Sequence, residues 1–526
     1  MNDQRKQTWI GLTSIVLSMS LVAFGCGRES DSGITPKASV ETVRPEAGDN
    51  MIEITWANNF SPPESDDNYV QKQLEQKFNV KIKNFKFDRQ GWKDKFNMLL
   101  AAGQIPDIFP IDADETDMAA WADQGIVASI SPDEIRHNMP NYTKALESID
   151  AGAWNVGFYH GKNWGIPKVW PAGNSGMIPG YNEAWLKKIG YNEPPKTLAE
   201  LEDVLTKFVY SDPDGNGKKD TYGMSGRGKL PFQLFTSVFS AYGVSPYQFK
   251  LGADGKVVYG GITEETRSAL KLLNKWFNAG LIDPEFITAG NDQLNEKFAS
   301  QKIGMVDNMG WRNFDADSTY IKKAALDKGQ NVIAGKPVVG PAGKAYAFSY
   351  GARQAPVLLG VQLEKDEAKR AKIEQILEYV ATNPEGWSLT VYGEKGVNYE
   401  MNGDFVVARP TPEASKAGAG GFYNPLSNVD TSMVKYTTTK ELLNLKAKLD
   451  SGYEPLRDVI GPTGLTAKAK YGASLQTLMD NYLIKAVIGK ADTDKGFDDF
   501  KANWLKSGGQ ELTDEANKVY AQRQKK

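Results

Sequence analysis

Apolar residues in this chain switch repeatedly between two spacings, and this alternation constrains the fold more than any other sequence feature. Residues 52–56 alternate as a strand does, residues 70–78 repeat apolar positions at helical spacing, and residues 80–82 alternate again. Longer helical patterns follow, the first after a Thr197–Glu200 capping box. Their apolar positions are Leu201, Val204, Leu205 and Phe208, then Ala269, Leu272, Leu273, Trp276 and Phe277, and then Ile373, Ile376, Leu377 and Val380. Strands that alternate with helices predict an α/β fold.

Length and charge limit both the architecture and the partners. A chain of 526 residues exceeds one ordinary hydrophobic core, so we expect about two to four structural units. The 62 Lys and Arg nearly balance the 65 Asp and Glu, and a formal charge of -3 predicts no strong attraction for nucleic acid. The two histidines, His137 and His160, do not form a zinc-ligand motif.

The first residues have the pattern of an export signal. Arg5 and Lys6 precede an apolar stretch, residues 9–25, which is short for a bilayer span but suits the core of a signal peptide. We therefore expect residues 1–25 to be a signal peptide.

Cys26, the single cysteine, follows the predicted signal peptide directly, where a bacterial lipoprotein has its lipid-accepting residue. Such motifs usually have Leu three residues earlier, and this chain has Ala23 there, so an incidental cysteine is the alternative. Residues 26–50 are polar without apolar periodicity and predict a tether between a lipid anchor, such as palmitate, and the folded body. With one cysteine, no internal disulfide is expected.

The run DPDGNGKKD, residues 212–220, matches the first nine positions of an EF-hand-like loop. Calcium prefers several oxygen ligands on a tightly curled chain, and Gly217 permits the turn. The candidate ligands are the side chains of Asp212, Asp214, Asn216 and Asp220 and the carbonyl of Lys218. The twelfth position is Gly223 instead of the expected Glu, so another group must complete the shell. The alternative is a polar turn without metal.

The 12 Trp, 22 Tyr and 22 Phe include several rings in predicted connections, beside Gly, Pro or Asn. Examples are Trp56 near Asn58, Trp170 near Pro167, and Trp311 after Gly310. Exposed aromatic faces stack on sugar rings while neighbouring polar side chains bond the hydroxyls. Any single Trp is more readily explained as part of the hydrophobic core than as a ligand contact, so the prediction of a sugar site depends on the group.

Several stretches together resemble the extracellular solute-binding proteins of ABC importers, the group that contains maltose-binding protein, and especially its larger oligosaccharide-binding lipoproteins. In chain order they are AAGQIPDIFPID (101–112), HGKNWGIPKVW (160–170), DPDGNGKKDTYG (212–223), NAGLIDPEF (278–286), QKIGMVDNMGW (301–311) and PEGWSLTVYGEKGVNYEM (384–401). The resemblance covers about residues 51–500, and members of this branch have a similar calcium loop.

The resemblance implies an α/β, two-lobed, periplasmic-binding-protein-like (type II) fold with a hinge and a ligand cleft between the lobes. It implies a first lobe of residues 51–172 plus about 305–350, and a second lobe of about 173–304 plus about 351–526. It places Asp112 in the cleft and Trp311 as a sugar-stacking platform. Loop context adds four candidate ligand-binding residues, which are Asn58, Trp170, Arg312 and Tyr350.

The expected function is therefore the substrate-binding component of an ABC transporter. It would be a monomer, anchored at the extracellular face of the cell membrane, that delivers an oligosaccharide to the permease subunits. The alternatives are a secreted carbohydrate-active enzyme, a peptide-binding surface lipoprotein and an adhesive surface protein. No Gly-x-Ser-x-Gly elbow, Walker loop or dinucleotide-binding motif indicates an enzyme, and an adhesive protein usually has repeats, of which the sequence has none.

Overall fold

The computed structural model describes residues 51–89, 91–316, 320–403, 405–409, 416–426, 429, 440–489 and 493–524. The expected signal peptide, the tether and Cys26 lie outside these residues. Residues 51–526 form one compact unit. Within the described ranges, no helix has both the length and the apolar composition needed to cross a bilayer.

Short strands and helices alternate through the described chain. The strands are β1 (Ile52–Asn58), β2 (Val80–Lys86), β3 (Phe158–Tyr159), β4 (Lys162–Asn163), β5 (Ile166–Val169), β6 (Ile178–Asn182), β7 (Tyr222–Met224), β8 (Phe249–Leu251), β9 (Val257–Tyr259), β10 (Ile303–Met309), β11 (Val332–Ala334), β12 (Tyr346–Phe348), β13 (Arg353–Val357), β14 (Tyr399–Asn402), β15 (Phe405–Ala408) and β16 (Glu454–Leu456). The α-helices are α1 (Tyr69–Phe78), α2 (Trp92–Ala101), α3 (Glu115–Asp123), α4 (Pro132–Asn138), α5 (Pro140–Ile149), α6 (Glu183–Lys188), α7 (Leu198–Tyr210), α8 (Thr236–Ala241), α9 (Glu264–Asn278), α10 (Asn291–Ala299), α11 (Ile321–Asp327), α12 (Glu367–Thr382), α13 (Pro384–Tyr392), α14 (Lys440–Leu449), α15 (Thr466–Ile488), α16 (Thr493–Trp504) and α17 (Gln510–Arg523).

The local predictions are confirmed. β1 and β2 pair in parallel, with Ile52 opposite Val80, and α1 connects them. α7 begins at the predicted capping box: the Thr197 hydroxyl accepts from the Glu200 amide at 3.2 Å, and the Glu200 carboxylate accepts from the Thr197 amide at 3.3 Å. The apolar positions predicted for α7, α9 and α12 all pack into hydrophobic cores.

One set of buried side chains comes from residues 54–169 and 352–429. Its sheet continues from β2 and β1 through single bridges from Trp56 to Ile108 and from Ile108 to Leu359. β5 pairs antiparallel with β13, and α12 covers the same core. We call these two segments the first lobe.

A second set of buried side chains comes from residues 178–338 and 442–516. It surrounds a four-stranded sheet in the order β11, β6, β10, β7. α7 packs closely on this sheet, because a Cβ at Gly304 of β10 would lie 2.2 Å from the Phe208 ring. We call these two segments the second lobe.

This membership differs from the expected division of the chain. β10, expected in the first lobe from about residue 305, pairs with β6 and β7 of the second lobe. β13 and α12, expected in the second lobe, pack with the first. An apolar pattern predicts that a strand is buried but does not specify its partner, so the assignment after residue 304 could not follow from spacing.

Two of the connections between the lobes, residues 170–177 and 349–352, run side by side. The Trp170 amide donates to the carbonyl of Ala352 at 2.7 Å, and the Met177 amide donates to the carbonyl of Phe348 at 2.7 Å. Paired crossing segments of this kind form the hinge in proteins whose domains close around a ligand.

Candidate functional site

Two aromatic side chains meet where the hinge connections cross. The rings of Trp170 and Tyr350 lie 6.3 Å apart, and Tyr350 packs edge-on against Phe348 at 4.7 Å. Trp170 is 39% exposed, which is unusual for a residue that otherwise favours burial. The structure thus brings together two of the residues predicted to bind ligand, although 180 positions separate them.

The Tyr350 hydroxyl joins a polar group from the second lobe. It accepts hydrogen bonds from Gln233 Nε2 at 3.1 Å and Asn308 Nδ2 at 3.5 Å. Arg227 Nη1 donates to Gln233 Oε1 at 3.0 Å and to the Asn308 carbonyl at 3.4 Å. Arg227 Nε and Asn308 Oδ1 are buried and have no hydrogen-bond partner among the described residues.

Asn308 takes this position because β10 is irregular there. The pairing of β10 with β6 shifts register between Val306 and Met309, and Asn308 has a left-handed φ of 56°. Bulges of this kind redirect side chains and are frequent beside binding sites. Its neighbour Asp307 is buried, which raises the pKa of that carboxyl, although hydrogen bonds from Ser237 oppose the shift.

The first lobe contributes a second polar group, next to the predicted cleft residue Asp112. The Asp112 carboxylate accepts from Asn59 Nδ2 at 2.9 Å and from Arg89 Nε and Nη2 at 3.0 and 3.3 Å. Lys168 Nζ donates to the carbonyl of Ile111 at 3.2 Å. Burial lowers the pKa of Lys168 to about 8, and the Asp112 charge opposes that shift.

Asn58 is fully buried, and its side chain holds the backbone of the first lobe. Its Nδ2 donates to the Phe422 carbonyl at 2.7 Å, and its Oδ1 accepts from the amides of Asn59, Phe60 and Ile111. Both ends of the amide are therefore engaged by the protein. Asn58 therefore supports the loop that carries Asp112, and its predicted contact with ligand stays a prediction.

Trp311 packs into the core of the second lobe and is 5% exposed. The Arg312 guanidinium lies 4.8 Å from its ring centroid. Burial lowers the pKa of Arg312 and raises that of Tyr392, in α13 of the first lobe, to about 12, while the Arg312 charge opposes the latter shift. The charge of Arg312 thus acts on Tyr392 across the lobe boundary. The role of Trp311 as a stacking platform stays a prediction.

Four residues at the boundary were not singled out from the sequence: Lys168, Arg227, Gln233 and Asn308. Lys168 and Asn308 lie inside stretches that carry the family resemblance, so their position was a usable signal. Arg227 and Gln233 lie in a connection without a motif, and only the contacts with Tyr350 and Asn308 connect them to the site.

The predicted calcium loop is tightly curled, with left-handed φ values of 47° at Asp212 and 73° at Gly217. Asn216 Nδ2 donates to Asp214 Oδ2 at 2.6 Å and to Asp220 Oδ1 at 3.1 Å. Burial raises the pKa of Asp214, and the neighbouring carboxyls of Asp212 and Asp220 raise it further. Among the described residues, no group of three or more His, Cys, Asp or Glu side chains is gathered closely enough to hold a metal.

A surface groove of about 860 Å³ lies elsewhere in the second lobe, between α15 and α17. Glu515 at its wall caps the first turn of α15, accepting from the amides of Thr466 and Ala467 at 3.0 and 2.8 Å. None of the predicted ligand-binding residues lines this groove, so the hinge boundary remains the better candidate site.

Two lobes, paired hinge connections and an aromatic and polar site at their boundary define a ligand-binding protein that closes around a small molecule. The sequence matches the family of bacterial extracellular solute-binding proteins over residues 70–386, more than half of the chain. The chain belongs to this family.

Relatives and solved structures agree with this assignment. The polygalacturonan/rhamnogalacturonan-binding protein YtcQ of Bacillus subtilis is 25% identical and covers 97% of this chain and 98% of its own. Lipoprotein LipO of the same organism is 27% identical, covering 99% of both chains. The solute-binding protein FusA of S. pneumoniae in complex with kestose has a TM-score of 0.68 at 19% identity, covering 90% of this chain and 99% of its own. A FusA EF-hand mutant in complex with fructo-nystose has a TM-score of 0.67 at 20% identity over the same shares.

Proposed function

We propose that this protein is the substrate-binding component of an ABC importer, which captures an oligosaccharide between its lobes and delivers it to the membrane permease. The observation that carries the proposal is the Trp170–Tyr350 pair at the hinge, with the amides of Gln233 and Asn308 beside it. Aromatic faces bind the apolar CH faces of sugars, and planar amides donate to and accept from hydroxyls. The ligands of YtcQ, a polygalacturonan/rhamnogalacturonan-binding protein, and of FusA in its complex with kestose support a carbohydrate ligand.

Ligand binding would be coupled to closure. Asp112, Arg89 and Lys168 belong to the first lobe, whereas Arg227 and its hydrogen-bonded partners belong to the second. A ligand that touches both groups stabilises the closed form more than the open one, and only such differential contacts shift the equilibrium. The closed, loaded form would then be the state that the permease recognises.

We extend the proposal to a structural calcium ion at residues 212–220. The loop supplies the oxygen donors that calcium prefers, and burial and the charges of Asp212 and Asp220 raise the pKa of Asp214. The Asn216 amide group donates to Asp214 and Asp220, and its Oδ1 accepts from the Lys218 amide at 2.7 Å. A bound calcium ion would take the place of the two donated hydrogen bonds between these carboxylates. The EF-hand named for FusA supports the proposal.

We also propose that Cys26 carries a lipid anchor and that the mature protein is a monomer at the extracellular face of the membrane. The similarity to LipO, a lipoprotein, supports the anchor. Metabolic labelling with an alkyne fatty acid, with Cys26→Ser as the control, tests it.

The proposed function is tested by calorimetric titration of the full-length protein in mild detergent with pectin, fructan and alginate oligosaccharides and with short peptides. We expect saturable binding of one sugar class without release of new reducing ends. Trp170→Ala should weaken that binding at least tenfold, about 1.4 kcal/mol. Phe158→Ala is the matched control, because Phe158 is also 39% exposed but lies in the β3–β4 hairpin.

The alternatives give different results in the same experiment. New reducing ends would identify a carbohydrate-active enzyme, and binding of peptides alone would identify a peptide-binding lipoprotein. Equal binding by wild type and Trp170→Ala would show that the aromatic pair does not contribute to ligand binding.

A further inference from the structure

Three basic side chains are buried in the described part of the chain: Lys168, Arg227 and Arg370, which are 6%, 7% and 6% exposed. Arg370 forms an ion pair with Glu134. Lys168 and Arg227 have no carboxylate within ion-pair distance among the described residues. Buried charges are normally paired, because taking an unpaired charge out of water is costly. Both exceptions occur at the boundary between the lobes.

The acidic groups whose charges act on these two cations already accept hydrogen bonds from other residues. Asp112, which faces Lys168, accepts two hydrogen bonds from Arg89 and one from Asn59. Asp307, which faces Arg227, accepts from the backbone and hydroxyl of Ser237. Neither carboxylate therefore contacts its basic neighbour directly, and each cation retains unused hydrogen-bonding capacity.

The unused part of Arg227 has a defined shape. Nη1 is occupied by Gln233 and by the carbonyl of Asn308, whereas Nε has no partner and Nη2 has only the Met309 sulfur at 3.7 Å. Nε and Nη2 form one edge of the guanidinium, with two parallel N–H groups. This edge matches the two oxygens of a carboxylate.

The two cations flank the aromatic pair. Lys168 precedes Trp170 by two residues along β5 and its extended continuation, so both side chains point to the same face. Arg227 reaches Tyr350 on the other side, through Gln233. Lys168 is thus associated with the Trp170 end of the aromatic pair, and Arg227 with the Tyr350 end.

We propose that the ligand is an acidic oligosaccharide, in which a uronate carboxylate binds the Nε–Nη2 edge of Arg227 while a sugar ring contacts Trp170 and Tyr350. Lys168 binds a second carboxylate of the same oligosaccharide. This inference rests on the proposed function and narrows it to one chemical class. Hinge opening exposes both cations to the incoming ligand, and closure buries the ion pairs that form.

The test compares an oligogalacturonate of four residues with the same tetramer whose carboxyl groups are reduced to alcohols, using the full-length protein in mild detergent. We expect the acid to bind at least tenfold more tightly and its advantage to shrink as salt increases, because charge attraction between accessible groups is screened. An oligomannuronate and kestose extend the comparison to another uronate and to a neutral sugar.

Two variants locate the contact. Arg227→Gln should lower the ratio of the affinities for the acidic and the reduced tetramer at least tenfold. Lys168→Met should also lower this ratio. Arg136→Gln is the control, because Arg136 lies away from the boundary and pairs with Asp133 and Glu147. Binding of the reduced tetramer by Arg227→Gln, and circular dichroism of both variants, confirm that they fold.

The outcomes distinguish failure of the acidic-ligand proposal from failure of the proposed importer function. Equal or tighter binding of neutral sugars would overturn the acidic ligand and leave the importer function standing. Preference for a uronate that survives in both variants would show that other residues make the contact. Binding of none of these sugars by the wild-type protein would overturn both proposals.

Discussion

Glu374 should make the stability of the first lobe fall as pH rises. This residue of α12 is fully buried; Asn138 Nδ2 donates to its Oε2 at 2.6 Å, and its Oε1 has no partner among the described residues. Burial raises the pKa of Glu374 from 4.5 to about 7, and the Glu134 carboxyl adds to the shift while Arg370 opposes it. The folded protein therefore holds this proton more tightly than the unfolded chain does.

The sign and size follow from this difference in proton affinity. The carboxyl is neutral in both states below pH 4.5, and its contribution to stability is lost as pH rises from there through about 7. At about 1.4 kcal/mol per tenfold change in affinity, the loss reaches about 3 kcal/mol above pH 7. Glu374→Gln removes the charge at nearly constant shape, so at pH 8.5 the variant should be more stable than wild type by up to that amount.

Urea unfolding followed by circular dichroism at pH 5, 6, 7 and 8.5 measures the effect. We expect the free energies of unfolding of wild type and Glu374→Gln to separate progressively above pH 5. Glu367→Gln is the control, because Glu367 is an exposed residue of the same helix and should show no such separation. Parallel pH profiles for wild type and Glu374→Gln would refute the reasoning that the buried carboxyl carries an unfavourable charge at neutral pH.

Two further substitutions test the calcium proposal and the packing of the second lobe. Calcium at a hundred times its dissociation constant should stabilise the wild type by about 2.7 kcal/mol. In Asp214→Asn, adding calcium should no longer raise the thermal midpoint, and chelator should no longer lower it. Asp254→Asn, in the β8–β9 turn, is the control and should respond to calcium as the wild type does. An equal response in both variants would place the ion elsewhere. Gly340→Ala should lower the thermal midpoint severely, because the added Cβ would lie 1.6 Å from the Ala241 carbonyl oxygen. Gly343→Ala is the control: its Cβ would meet open space, and its φ of 71° should reduce the free energy of unfolding by only about 1 kcal/mol. Equal effects of the two substitutions would show that the backbone at Gly340 relaxes.

Much of the local structure could be predicted because its determinants lie close together in the chain. The capping box at Thr197 and the apolar face of α7 involve residues within one or two helical turns. The Asp and Asn side chains of the 212–220 loop lie within nine positions, and hydrogen bonds within the loop hold it curled. In each case the interacting groups are held near one another by the covalent chain itself.

The candidate site was predicted in part. Trp170 and Tyr350 meet as ligand-binding candidates at the hinge, and Asp112 lies in a polar group of the first lobe. Asn58, chosen from the same loop context, is buried and occupied by backbone contacts. A loop motif places a residue near a site, but the neighbouring backbone decides whether its side chain is free.

The sequence by itself determined the alternation of strands and helices and the resemblance to a solute-binding family. The tertiary structure alone decided which lobe holds β10 and β13, and which distant residues converge on Tyr350. It also revealed that Lys168 and Arg227 are buried without a carboxylate partner in the described chain, the observation behind the proposed acidic ligand. The physical reason is that hydrophobic burial is not directional: an apolar pattern requires a covered face, but only the packed chain determines what covers it.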